Sequence, residues 1–149
     1  MSQSLMMYQQ LGAEKFSSGI AGLAPFFSSI DPLFIELRPG FAEVLIRNQR
    51  KVQNHIGTVH AIALCNGAEL VAGTCTDVSI PTGARWLPVG MTVQYLAKAK
   101  SDIRVVTEAD AVDWTQPGNI DVPVAAYDVE GLKVFTAVIT MNVKHALAA

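Results

Sequence analysis

Two spacings of apolar residues alternate along the chain. Residues 4–18 carry Leu5, Met6, Tyr8 and Leu11 in a loosely helical pattern, broken by Gly19 and Gly22. Pro25 suits the first turn of a second short helix that runs to Ile30 and stops at Asp31-Pro32. From residue 33 the period falls to two. Leu33, Ile35 and Leu37 alternate with Phe34, Glu36 and Arg38, and Pro39-Gly40 marks a tight turn into a returning strand over residues 42–48. Residues 49–57 are polar, end in glycine and are expected to form a loop. Residues 58–74 follow, rich in Ala and Leu and apolar on nearly every side of a helical wheel, which is the mark of a buried helix. After a loop over residues 76–88 the two-residue period returns. Strands are expected over 91–100, 103–112, 120–130 and 133–144, with turns at Ser101-Asp102, Pro117-Gly118-Asn119 and Gly131. In the last of them Phe135, Ala137, Ile139, Met141 and Val143 share one face.

The order is thus β-β-α-β-β-β-β after a helical lead-in. Short turns between consecutive strands predict antiparallel pairing. One apolar helix and one half-apolar sheet each need a covering layer, and they supply it to each other. This is an α+β class and a single domain over residues 1–149, with 1–32 as lead-in and 33–146 as sheet and central helix. No internal repeat or low-complexity run divides it.

Composition agrees with that reading. Half of the 149 residues are hydrophobic and 16% are charged, enough for a core and unlike a disordered chain. The formal net charge of −2 lacks the basic excess of a nucleic-acid binder, so no nucleic-acid partner is expected. Residues 1–10 contain no Lys or Arg and make a poor secretory signal. No stretch provides about 20 apolar residues for a membrane span. Cys65 and Cys75 form no metal-type spacing, and on one helix they stand roughly 15 Å apart, too far for a disulfide. Reduced thiols point to a cytoplasmic protein.

The chemistry centres on Glu69, the one formal charge of the central helix. Carboxylates are seldom fully buried unless paired or functional. On the wheel Glu69 shares a face with Ile62, Cys65, Asn66 and Gly73, smaller and more polar than the face of Val59, Leu64, Ala68 and Val71. Such a seam lines a cleft, or else the glutamate sits at the helix edge and reaches solvent or an arginine. The helix start is the second feature. Thr58 is the expected N-cap, and the N–H groups around His60 and Ala61 lie at the positive end of the helix dipole, suited to an anion or oxyanion. Ala61 precedes Glu69 by roughly 12 Å along the axis. Both can meet one substrate only if two subunits pack these helices antiparallel.

The run Asn54-His55-Ile56-Gly57-Thr58-Val59-His60-Ala61 resembles the N-x-x-G-x-x-H-G-G signature of hotdog-fold acyl-CoA thioesterases of the phenylacetate-pathway type. That family carries an acidic residue eight positions after the first glycine that follows the histidine, and Ala61 plus eight is Glu69. The resemblance implies a hotdog fold, an antiparallel sheet wrapped around a long helix. It implies Glu69 as nucleophile or general base, the Ala61 N–H as oxyanion donor, and His60 and Asn54 as organisers of the helix start, with Gly57, Ile62, Cys65 and Asn66 against the substrate. It also implies a homodimer or a dimer-of-dimers tetramer with sites between subunits, an acyl-CoA substrate, and no cofactor beyond the coenzyme A of that substrate. Two positions depart from the pattern. Ala61 and Ile62 replace the paired glycines, and Pro88 stands where relatives have a serine or threonine, leaving Asn66 or Thr92 as polar helpers.

Other candidates read more plainly. His55 and His60 are five apart with no acid between them, so no metal site is expected. Arg47, Arg50, Lys51, Arg85, Lys98, Lys100 and Arg104 are candidates for the coenzyme A phosphates. Trp86 and Trp114 suit packing against core or ligand. Two further functions fit the same fold: a non-catalytic acyl-CoA or lipid-binding module, motivated by the replaced glycine and Pro88, and an acyl-thioester hydratase or dehydratase, which needs a histidine and an acid at one substrate atom.

Overall fold

A computed structural model describes residues 1–146. After the lead-in helices α1 (Gln3–Leu11) and α2 (Ala13–Leu23) and a 3₁₀ turn (Pro25–Ile30), the hairpin β1 (Leu33–Arg38) and β2 (Phe41–Ile46) precedes the helix α3 (Ala61–Ser79). Four strands follow: β3 (Arg85–Tyr95), β4 (Ile103–Glu108), β5 (Gly118–Tyr127) and β6 (Lys133–Lys144). All pair antiparallel in one sheet of order β1-β2-β4-β5-β6-β3. The sheet curls around α3, which packs against every strand. This is a hotdog fold. Among the described residues, no helix is long and apolar enough to cross a membrane.

The periodicity of β6 holds, and all five of its expected inward residues are buried. In β1 the alternation fails. A bulge between Phe34 and Glu36 shifts the register, so Phe34 and Leu37 turn inward and Ile35 is left exposed. Phe34 is held there by the lead-in. Its ring meets Phe16 edge-on at 5.1 Å, Phe16 meets Tyr8 at 5.4 Å, and the Phe34 N–H donates to Ser17 Oγ at 2.9 Å. Gly19 and Gly22 do not break the lead-in. The break is Gly12, whose φ of +80° no β-carbon residue adopts easily.

The central helix starts and ends later than the expected 58–74. His60, not Thr58, is its N-cap, with Nδ1 accepting the Ile62 N–H at 3.0 Å. The Thr58 carbonyl instead accepts the Asn54 N–H, closing the preceding turn. At the other end Thr74, Thr76 and Ser79 turn their hydroxyls back onto the carbonyls of Leu70, Ala72 and Cys75. These local bonds let polar residues extend a buried helix past Gly73.

The largest departure concerns β3. It begins at Arg85, inside the expected loop, ends at Tyr95, and is not paired with β4. Residues 96–102 run past the start of α3 rather than forming a hairpin turn. They are tied by Val59 N–H to Ala99 O at 2.8 Å and Asn48 N–H to Asp102 Oδ1 at 2.8 Å. Held there, the segment separates β3 from β4, and β3 lies at the sheet edge beside β6. β4 ends at Glu108, short of Val112, and the next residue, Ala109, donates its N–H to Gly40 O at 2.7 Å in the turn between β1 and β2.

Cys65 and Cys75 are both free and buried. Burial pushes the Cys75 thiol from 9.0 up to about 11. The folded chain therefore holds this proton more tightly than the unfolded chain. That contribution is complete below pH 9 and is lost as pH rises through about 11. We expect urea stability to fall over this window by up to about 2–3 kcal/mol more in the wild type than in Cys75→Ala. Identical alkaline limbs would show that the buried thiol is not the cause.

Candidate functional site

Several clefts border α3, and the expected site residues are divided among them. The first, of about 480 Å³, holds Glu69. Its spacing on α3 explains the wall. Glu69, Gly73 and Asp77 follow one another at intervals of four and so lie on one face. Gly73 lacks the β-carbon that would meet Trp86 Cη2 at 2.7 Å, so the indole packs directly on the helix backbone. Asp77 fixes that indole, accepting Trp86 Nε1–H at 3.0 Å through Oδ1 and the Ser4 hydroxyl through Oδ2. Ile20, Leu23 and Phe27 of the lead-in also line the cleft, with Leu87 and Pro88 of β3.

The two carboxylates of this cleft are in different states of engagement. Asp77 has both oxygens hydrogen-bonded, whereas half-buried Glu69 makes no hydrogen bond or ion pair among the described residues. An apolar cleft with one unengaged carboxylate can present a base to a neutral ligand.

The second cleft, of about 270 Å³, lies at the start of α3 and is lined by Asn54, Thr58, Ala61, Leu64, Tyr95 and Lys98, among others. Asn54 organises the turn that leads into the helix. Its Oδ1 accepts the N–H groups of Ile56 and Thr58, both at 3.1 Å, and its Nδ2 donates to Thr58 Oγ1 at 2.8 Å. Gly57 supplies the positive φ of +80° in that turn. Of the N–H groups at the helix start, that of His60 bonds to Val52 O and that of Ile62 to His60 Nδ1. The Ala61 N–H takes part in neither bond and opens the helix.

The remaining expected residues fall elsewhere. His60, exposed Ile62 and buried Asn66 line a third, smaller cleft of about 180 Å³ with Lys51 and Ser29. Asn66 Nδ2 donates to Ser29 Oγ at 3.0 Å, and its Oδ1 is buried without a partner among the described residues. Cys65 Sγ lies 3.6 Å from the Tyr95 hydroxyl, and that contact holds the phenol above its usual range. Glu69 and Ala61 thus line different clefts of one chain, as do Glu69 and His60. Among the phosphate candidates, Lys51 pairs with Asp31 at 3.9 Å and Arg104 with Glu43 at 2.8 Å. Sequence reasoning missed the Ser4–Asp77–Trp86 link and the lead-in wall. The four-residue spacing of Glu69, Gly73 and Asp77 was a legible signal for part of it.

A family model described as Domain of unknown function (DUF4442) matches residues 12–143. No curated protein matches the sequence. Among solved structures, a crystal structure from a genomics programme is 58% identical, with 97% of each chain covered and a TM-score of 0.89. A thioesterase family protein from Silicibacter pomeroyi is 17% identical over 87% of this chain and 96% of its own, with a TM-score of 0.74. A thioesterase from Haemophilus influenzae is 11% identical over 81% and 83%, with a TM-score of 0.71.

Proposed function

This chain belongs to the DUF4442 family, and from its hotdog fold we propose that it is an acyl-CoA thioesterase acting as a homodimer, with Glu69 as the catalytic carboxylate. The observation that carries the reading is Glu69 itself, a half-buried carboxylate without a partner among the described residues, opening on a largely apolar cleft. The thioesterase names of two fold neighbours support the same class.

The edge strand β3 supports the dimer. Among the described residues only β6 borders this strand, and it exposes Leu87, Val89, Met91 and Tyr95. An open edge rich in apolar side chains invites pairing with another strand. Trp86, Leu87 and Pro88 at one end of β3 line the Glu69 cleft, while Tyr95 at the other end lines the Ala61 cleft. Two copies joined β3 to β3 about a two-fold axis oppose these ends. Glu69 of one protomer then faces the partner subunit's Ala61, which resolves the separation of roughly 12 Å within one chain.

In such a site water adds to the thioester carbonyl carbon as Glu69 takes its proton. The oxygen that becomes negative accepts a hydrogen bond from the partner subunit's Ala61 N–H, at the positive end of its helix. Collapse breaks the C–S bond, and the proton held by Glu69 passes to the departing thiolate. The products are a carboxylic acid and coenzyme A. Direct attack by Glu69 uses the same two groups. Coenzyme A is part of the substrate, and no further cofactor enters.

A complementation experiment tests the shared site. Ala61→Pro removes the N–H at the first helical position, where proline is well tolerated. The preceding His60, at φ −63° and ψ 139°, already has the backbone a proline requires. Ala61→Pro and Glu69→Gln are each expected to be nearly inactive. Unfolded together and refolded as an equal mixture, they should recover about one quarter of the wild-type rate, because half the dimers carry one complete site of two. No recovery from a mixture that forms heterodimers would exclude a site built from both subunits.

A further inference from the structure

The Glu69 cleft is lopsided in charge. Among the described residues two carboxylates line it, Glu69 and Asp77, and no lysine, arginine or histidine does. Its other polar groups are already engaged. Ser4 donates to Asp77, Thr74 donates to Leu70 O at 2.8 Å, and Asp77 accepts from both Ser4 and Trp86. The rest of the wall is hydrocarbon and indole, and four of its apolar residues, Ile20, Leu23, Ala24 and Phe27, come from the lead-in. A volume of about 480 Å³ falls within the usual range of small-molecule sites.

We propose that this cleft between lead-in and central helix is the acyl pocket, and that it accepts uncharged hydrocarbon acyl groups and rejects those ending in a carboxylate. The inference rests on the thioesterase reading only for placing the thioester at Glu69. An anionic acyl terminus would lose its hydration on entry, find no cation, and meet two like charges. At the separations available in such a cleft, that repulsion is large even with the screening of a protein surface. Asp77 acts here twice. It positions Trp86 as the pocket wall, and it supplies the second negative charge.

Hexanoyl-CoA and adipoyl-CoA have the same number of acyl carbons and differ by one terminal carboxylate, so they isolate the effect. The wild type should show a kcat/KM for hexanoyl-CoA on the order of 100-fold above that for adipoyl-CoA. Asp77→Asn keeps an acceptor for the Trp86 N–H and removes one charge. It should narrow the ratio by about tenfold. Binding is read separately with the non-hydrolysable thioethers S-hexyl-CoA and S-(5-carboxypentyl)-CoA, through Trp86 fluorescence in a Trp114→Phe background. S-hexyl-CoA should saturate the signal and the carboxylated thioether should not. Equal turnover of the two thioesters would overturn the pocket while leaving a thioesterase. Discrimination between the thioethers without turnover of either ester would keep the pocket and remove the thioesterase. Absence of any Trp86 response to S-hexyl-CoA would overturn the pocket.

Discussion

Glu69→Gln is expected to lower kcat/KM for acyl-CoA hydrolysis by about 10²–10⁴-fold, the usual contribution of a positioned general base. The substitution is nearly isosteric. The native carboxylate has no hydrogen bond or ion pair to lose among the described residues, so the fold should tolerate it, with stability within about 0.5 kcal/mol of wild type. Asp77 provides the contrast. It sits on the same helix face and lines the same cleft, but it holds Ser4 and Trp86. Its replacement by Ala should loosen the lead-in and the indole wall, with a stability cost that Glu69→Gln does not have. Free thiol release from an acyl-CoA panel, together with thermal melts, separates the two. A Glu69→Gln enzyme that retains wild-type turnover would remove this residue from the chemistry.

Met91→Lys is expected to give a folded monomer with kcat/KM reduced by about 10²–10³-fold, the effect of losing one oxyanion donor. Met91 lies near the middle of β3, between the Glu69 end and the Tyr95 end, and is 45% exposed. A single chain therefore has little to lose by carrying a lysine there. Across a two-fold axis through the strand centre, however, the two lysines meet as like charges on adjoining edges. Each Glu69 cleft would then lack the partner subunit's Ala61. Sedimentation velocity and kinetics on the same sample decide the matter. A monomer with full activity would show that one chain suffices.

Residues whose partners are close in sequence announced themselves. The five inward residues of β6 follow a two-residue period because a pleated strand imposes it whatever the neighbours are. The buried helix was legible because a sequence apolar on all sides has nowhere else to go. The eight-residue step from Ala61 to Glu69 placed both on one helix, and α3 spans both.

What escaped the pattern depended on contacts between distant segments. Ile35 has the period of an inward residue, but the lead-in's hold on Phe34 introduces a bulge that turns it out. Ser101-Asp102 has the composition of a hairpin turn, yet bonds from Asn48 and Val59 hold residues 96–102 at the start of α3, and β3 lies at the far edge of the sheet. The same applies to the wall around Glu69, where Ser4, Phe27 and Trp86 converge from elements with no shared local pattern. Alternation and helical spacing are properties of a single segment in its own backbone geometry, so the sequence alone determined the kinds of element and the burial of the central helix. Which strand lies beside which, and which side chains enclose Glu69, depend on free energies shared between segments tens of residues apart, and only the folded chain decided them.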